Sequence, residues 1–186
     1  MDQKEYDLEQ SRGELDKLVN LSANQADEAS CKSIAEKAET VYKKYPTSEE
    51  IALAYALILF NLSTEQTELK EQEASVEKVR VLQEAFPDSS NIALQHARIL
   101  FNLSTEQTGL KELEAIVEKL QALHQQFPES PDIALRYAKI LVNLSAKQIE
   151  LKEREATVEK LQALHQQFSE SPDIALRYAK ILVNLS

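Results

Sequence analysis

Apolar positions along this chain recur at helical spacing, and the spacing itself recurs. Ile133, Ala134, Tyr137, Ala138, Ile140, Leu141 and Leu144 form a stripe too wide for a helix covered on one side only. Such a helix needs neighbours on both flanks. A second predicted helix follows, about 20 residues long and closing near Phe168. Its apolar positions Leu151, Val158, Leu161, Leu164 and Phe168 lie three, four or seven apart, which gives a narrower face. Nothing alternates with the period of two that a half-buried strand requires. The pattern predicts an all-α chain.

Local signals place the ends of these helices. Ser130-Pro131-Asp132 combines a serine cap, a proline at the first helical position and an acid in the first turn. Ser48-Glu49-Glu50, Ser89-Ser90-Asn91 and Ser171-Pro172-Asp173 occupy the same place in other copies. The second helices close on an aromatic residue and proline: Tyr45-Pro46, Phe86-Pro87 and Phe127-Pro128. Ser169 replaces that proline in the last copy, which predicts a weaker stop.

The tripeptide Asn-Leu-Ser occurs five times, beginning at Asn20, Asn61, Asn102, Asn143 and Asn184, always 41 residues apart. It reads as a tight junction between two antiparallel helices. Asparagine tolerates the left-handed conformation found just past a helix end. Ser22 with Gln25, Ser63 with Gln66, Ser104 with Gln107 and Ser145 with Gln148 have the spacing of a capping box. Helices are therefore expected to start at Ser22, Ser48, Ser63, Ser89, Ser104, Ser130, Ser145 and Ser171. A strand anywhere in 51–186, or helices unbroken through Asn61, Asn102 and Asn143, would contradict these junctions and the arrangement of antiparallel helix pairs built on them.

A strict period of this length marks a stacked repeat, in which each unit buries its apolar face against its neighbours. Val117–Ser145 and Val158–Ser186 differ only at Pro128, which becomes Ser169. The expected organisation is one helical-repeat domain over 1–186. Its repeats run over about 7–47 (a degenerate N-terminal copy), 48–88, 89–129, 130–170 and a half repeat at 171–186. In the first copy Gln10, Ser11, Arg12 and Gly13 replace the apolar start, as suits a polar terminal cap.

Small residues inside a first helix and a proline closing the second make the unit resemble the tetratricopeptide repeat. Ala134, Tyr137, Ala138 and Leu141 fall where that family packs its first helix, and Ile116, Leu120 and Leu123 where it packs its second. The resemblance extends from Asp16 onward and implies a right-handed superhelical solenoid of antiparallel helix pairs. It also implies a protein-binding scaffold without chemistry of its own. The family's unit is about 34 residues, and a length near 40 also falls in the HEAT and armadillo range, the alternative architecture.

Composition narrows the function. The formal charge of −10 argues against broad nucleic-acid or anionic-membrane binding, both of which rely on Lys and Arg. Cys31 is the one cysteine, so neither an intramolecular disulfide nor a dithiol catalyst is expected. No basic segment followed by an apolar core opens the chain, and a cytoplasmic, reducing setting is expected. Asn-Leu-Ser also matches the N-glycosylation acceptor pattern, but the helix junction explains its period better. His124 and His165 are copies of one position and His96 replaces a tyrosine. They read as packing imidazoles rather than converging zinc ligands. No phosphate loop or nucleophile–base set is present, so no enzyme, cofactor or metal is expected.

Binding residues are sought where the framework repeats but the side chain changes. One first-helix position reads Ala54, Gln95, Arg136, Arg177, and another reads Leu57, Arg98, Lys139, Lys180. Three residues apart, they share a helix face and predict a stripe running from apolar to basic. The expected function is a non-catalytic scaffold presenting this stripe to a protein or peptide, an acidic or C-terminal peptide in particular. The bland alternative is that Asp132–Arg136 and Asp173–Arg177 are ordinary i,i+4 helix pairs. A competing function is self-assembly, of an engineered or duplicated array or of a fragment of a longer one. Ile174, Tyr178, Ile181, Leu182 and Leu185 keep the buried pattern with no second helix after them, which predicts a self-associating edge and a homo-oligomer.

Overall fold

A computed structural model describes residues 3–25, 27–107 and 109–183 of the chain. Among the described residues there are nine α-helices and no strand. They are α1 (Gln3–Ala23), α2 (Glu28–Lys44), α3 (Glu49–Glu65), α4 (Leu69–Ala85), α5 (Ser90–Glu106), α6 (Leu110–Gln126), α7 (Pro131–Lys147), α8 (Leu151–Gln167) and α9 (Pro172–Val183). Odd-numbered helices are the first helices of the repeats and even-numbered ones the second. The chain divides into two compact units, Met1–Leu103 and Ser104–Ser186.

The serine starts of the first helices form as their residue types dictate. Ser48, Ser89, Ser130 and Ser171 each accept the backbone N–H three residues on, at 3.5, 3.4, 3.4 and 3.4 Å. Each second helix closes at the expected aromatic: Tyr45, Phe86, Phe127 and Phe168 are the C-caps. The carbonyl of each then accepts the N–H of the following cap serine, at 2.9–3.1 Å. Phe168 closes α8 in the same register as the other three although Ser169 replaces the proline, because that turn bond is made by backbone alone.

The other four expected starts are wrong. Helices α3, α5 and α7 run unbroken through Asn61, Asn102 and Asn143, and Ser22, Ser63, Ser104 and Ser145 lie inside first helices. None of the described residues has a positive φ, so no asparagine acts as a left-handed stop. The reason lies in the neighbouring repeat. The Asn61 amide donates to Ser22 Oγ at 2.8 Å, and the Asn102 amide to Ser63 Oγ at 3.2 Å. Ser22 and Ser63 pass their own protons to the carbonyls of Val19 and Phe60 at 2.8 and 2.7 Å. With both partners satisfied, the serine stays in the helix as a buried inter-repeat link instead of competing with it. In unit 1, asparagine–serine bonds thus link successive first helices, α1 to α3 and α3 to α5. Asn61→Ala is expected to destabilise unit 1 by about 1 kcal/mol, a typical net hydrogen-bond contribution. Paired with Ser22→Ala in a double-mutant cycle, it should show coupling, and additive losses would remove the link.

Gln66 and Gln148 end the first helices instead of boxing the second. Each caps its helix and is buried. Gln66 Oε1 accepts from Ser75 Oγ at 2.9 Å, and Gln148 Oε1 from Thr157 Oγ1 at 2.9 Å. The second helices consequently begin later, at Leu69, Leu110 and Leu151, and span 17 residues rather than about 20. Asp27, not Ser22, caps α2, accepting from Ser30 N at 2.8 Å.

The wide apolar face behaves as its width demands. The seven positions of the predicted stripe (Ile133, Ala134, Tyr137, Ala138, Ile140, Leu141 and Leu144) are buried, as is Val142, while Leu135 is half-buried, and α7 packs against α6, α8 and α9. In unit 1, α3 packs in the same way against α1, α2 and α4. On α8, Val158, Leu161 and Leu164 are buried while Leu151, at the first helical position, is exposed.

Tyrosines tie two first helices, α3 and α7, to the second helix before each. Tyr55 donates to Glu39 Oε2 at 3.0 Å, and Tyr137 to Gln121 Oε1 at 3.2 Å. Lys43 and Lys78 also reach Glu39, at 2.7 and 2.6 Å, and with the Tyr55 hydroxyl they hold its carboxyl at about 2, below the ordinary 4.5. A depressed folded value gives stability that is fully present above 4.5 and is lost as pH falls from there through about 2. Acid titration of wild type and Glu39→Gln is expected to show the larger loss in wild type. Parallel curves would contradict it.

Candidate functional site

The variable first-helix positions other than Gln95 are partly or fully exposed. In unit 1, Ala54 and Leu57 on α3 are partly exposed. On α5, Gln95 is buried and Arg98 partly exposed, and the Arg98 guanidinium donates to Gln95 Oε1 at 3.3 Å. That guanidinium also lies over the Phe60 ring, 5.2 Å from its centroid, an ordinary cation–π distance. Reading the sequence alone missed Phe60. Its signal was the column Phe60, Phe101, Val142, Val183, apolar in every copy yet outside the core pattern. A small hollow of about 240 Å³ lies nearby, lined by Arg12, Leu15, Asp16, Glu50, Ile51 and Ala54. It is below the size of an ordinary small-molecule site.

In unit 2 the same two positions are all basic. Arg136 and Lys139 on α7 and Arg177 on α9 are partly exposed, and Lys180 is exposed. Helices α7 and α9 pack together, so the two basic pairs lie on neighbouring first helices. Burial lowers the proton affinity of Lys139, and the charges of Arg136 and Arg177 lower it further, with Asp173 opposing. Arg177 Nε is buried and makes no hydrogen bond among the described residues.

The histidines are packing groups. The His124 ring lies 6.0 Å from that of Tyr137 and 6.1 Å from that of Phe168, and the His165 ring 5.3 Å from that of Tyr178. Burial lowers the proton affinity of His124, partly offset by a hydrogen bond with Gln167. His96 is buried in the tyrosine position of α5. Among the described residues no three His, Cys, Asp or Glu side chains are grouped to hold a metal ion.

The expected self-associating edge needs redrawing. Ile174 and Ile181 are fully buried within the chain's own packing, on the side of α9 that faces α7 and α8. Tyr178 is partly exposed against His165, and Leu185 lies outside the described residues. What α9 exposes is Leu176, Leu182 (43 %) and Val183 (71 %). One repeat earlier Leu141 and Val142 are 0 % and 4 % exposed.

In comparisons with known proteins, no family model matches the chain and no curated protein matches it significantly. No helix among the described residues is long and apolar enough to cross a membrane.

Proposed function

We propose that the chain is a non-catalytic scaffold that presents its first helices to a protein or peptide partner. One observation supports this most: Arg136, Lys139, Arg177 and Lys180 fill, on two packed first helices, positions that Ala54, Leu57 and Gln95 fill elsewhere in the same framework. Packing does not demand the change, whereas an acidic or C-terminal peptide would make use of it. The tetratricopeptide-type right-handed superhelix belongs to the same proposal, and so does a cytoplasmic setting, where the buried thiol of Cys31 stays reduced. A pull-down with acidic and C-terminal peptides, wild type against Arg136→Glu/Arg177→Glu, is the test. Capture by wild type and loss in the variant is the expected result. Equal capture by both would exclude the stripe.

Self-association is a second proposal, favoured by the exposure of Leu182 and Val183 where Leu141 and Val142 are covered. Burying one such side chain is worth about 1.5–3 kcal/mol, so a second copy of the chain pairing α9 with α9 across a two-fold axis is the arrangement expected. Light scattering on the 186-residue chain and on Leu182→Glu/Val183→Glu should give a dimer and a monomer. A monomeric wild type at high micromolar concentration would contradict it.

A further inference from the structure

We infer that the outward face of α9 is a docking site for a helical hairpin on another chain, one that reproduces α8 and α9 and is recognised through the pattern Val-x-Lys-Leu-x-x-Leu-x-x-Gln-Phe. This rests on the reading of α9 as an association face and gives that face a partner other than a second copy of the chain.

The occupant is read from an internal template. Residues 133–142 on α7 and 174–183 on α9 have the same sequence. On α7, Ala138, Leu141 and Val142 are buried, and the helices packed onto α7 after it in the chain are α8 and α9. Their counterparts Ala179, Leu182 and Val183 are all exposed. An identical surface fits an identical cover, so the unit that suits α9 is the one that α7 already carries.

The contacts of α8 show what the docking helix must bring. Val158, Leu161 and Leu164, three residues apart, are buried where α8 packs against α7 and α9. The Lys160 ammonium donates to Gln121 Oε1 at 3.1 Å, and the Gln167 amide to the Pro128 carbonyl at 2.8 Å. The Phe168 ring lies 6.1 Å from that of His124. One repeat on, Gln162, the Ser169 carbonyl and His165 stand at the receiving positions, with Gln162 and Ser169 exposed. Ser169 replaces a proline there, but the acceptor is backbone and is kept. Burial of Leu182 and Val183 drives the docking, and the three receivers set its register.

Another chain suits this face better than a further copy does. A copy can offer its own α8 and α9 only by stripping them from its α7, where they already make the same contacts. Two α9 helices paired across a two-fold axis cover each face with one helix, whereas the hairpin brings two, as α7 has.

Fluorescence anisotropy on the full chain tests this with a labelled synthetic peptide of residues 146–186. The peptide carries Leu182→Glu and Val183→Glu, so that it cannot take a further hairpin in turn. Saturable capture is expected, and it should be at least about tenfold weaker for a full chain with Leu182→Glu/Val183→Glu, which alters outward side chains and should melt like wild type. Gln162→Ala in the chain should weaken capture about threefold or more, the scale of one hydrogen bond, and Lys160→Ala in the peptide should add little to that loss. Equal capture by the Leu182→Glu/Val183→Glu chain would mean that the peptide replaces the chain's own hairpin on α7, and would overturn the α9 site. Unchanged capture by Gln162→Ala would overturn the recognition pattern. Light scattering separates this proposal from self-association. Capture by a monomeric wild type supports the docking site and removes the dimer, whereas a dimer that the peptide neither enters nor disperses overturns the docking site and leaves the second copy as occupant. A folded chain that neither dimerises nor captures the peptide overturns both.

Discussion

Leu141→Ala is expected to destabilise unit 2 by about 2–5 kcal/mol, while Leu182→Ala, at the same place one repeat later, costs the dilute, unassociated chain under about 1 kcal/mol. Leu141 is 0 % exposed and enclosed by α6, α8 and α9 around its helix, so its truncation leaves a cavity that packed helices close only in part. Leu182 is 43 % exposed, and water fills the space its side chain leaves. Identical residues in near-identical sequence thus report the local packing directly. Chemical denaturation of both variants checks this. Equal losses would mean that α9 is covered as fully as α7.

Gln66→Ala should cost about 1–3 kcal/mol, and Gln148→Ala clearly less. The two glutamines share one repeat position but leave different partners behind. Ser75, 3 % exposed, gives its proton to Gln66 Oε1, and the substitution strands that hydroxyl in a buried place. Thr157 already has a second acceptor, the Glu153 carbonyl at 3.1 Å, and keeps a hydrogen bond when Gln148 is lost. Combining Gln66→Ala with Ser75→Ala should recover part of the loss, because both members of the buried pair are then gone. If the glutamine variants lose stability equally, the serine contact is not what distinguishes the two junctions.

What the residues declared in advance, and what they concealed, divides along the range of each interaction. The serine caps at Ser48, Ser89, Ser130 and Ser171 were readable because cap and N–H lie three residues apart. Asn-Leu-Ser and the glutamines were misread for the opposite reason. Asn61 finds its partner 39 residues away and Gln66 finds its partner nine away, so a local rule offered them the wrong roles. The stripe was visible as variation within a constant frame, but the stacking of Arg98 on Phe60 crosses from α5 to α3 and left no local trace. On α9, helical spacing marks Ile174, Ile181 and Leu182 alike as apolar. It does not say that the first two face helices already present and the third faces outward.

The most direct measurement is a hydrogen-exchange footprint of the full chain with a captured peptide. Peptide binding to the first-helix stripe predicts added protection on α7 and α9 around Arg136, Lys139 and Arg177, with the exposed faces of α6 and α8 unchanged. Protection confined to the second helices, or no change on α7 and α9 at saturating peptide, would contradict it.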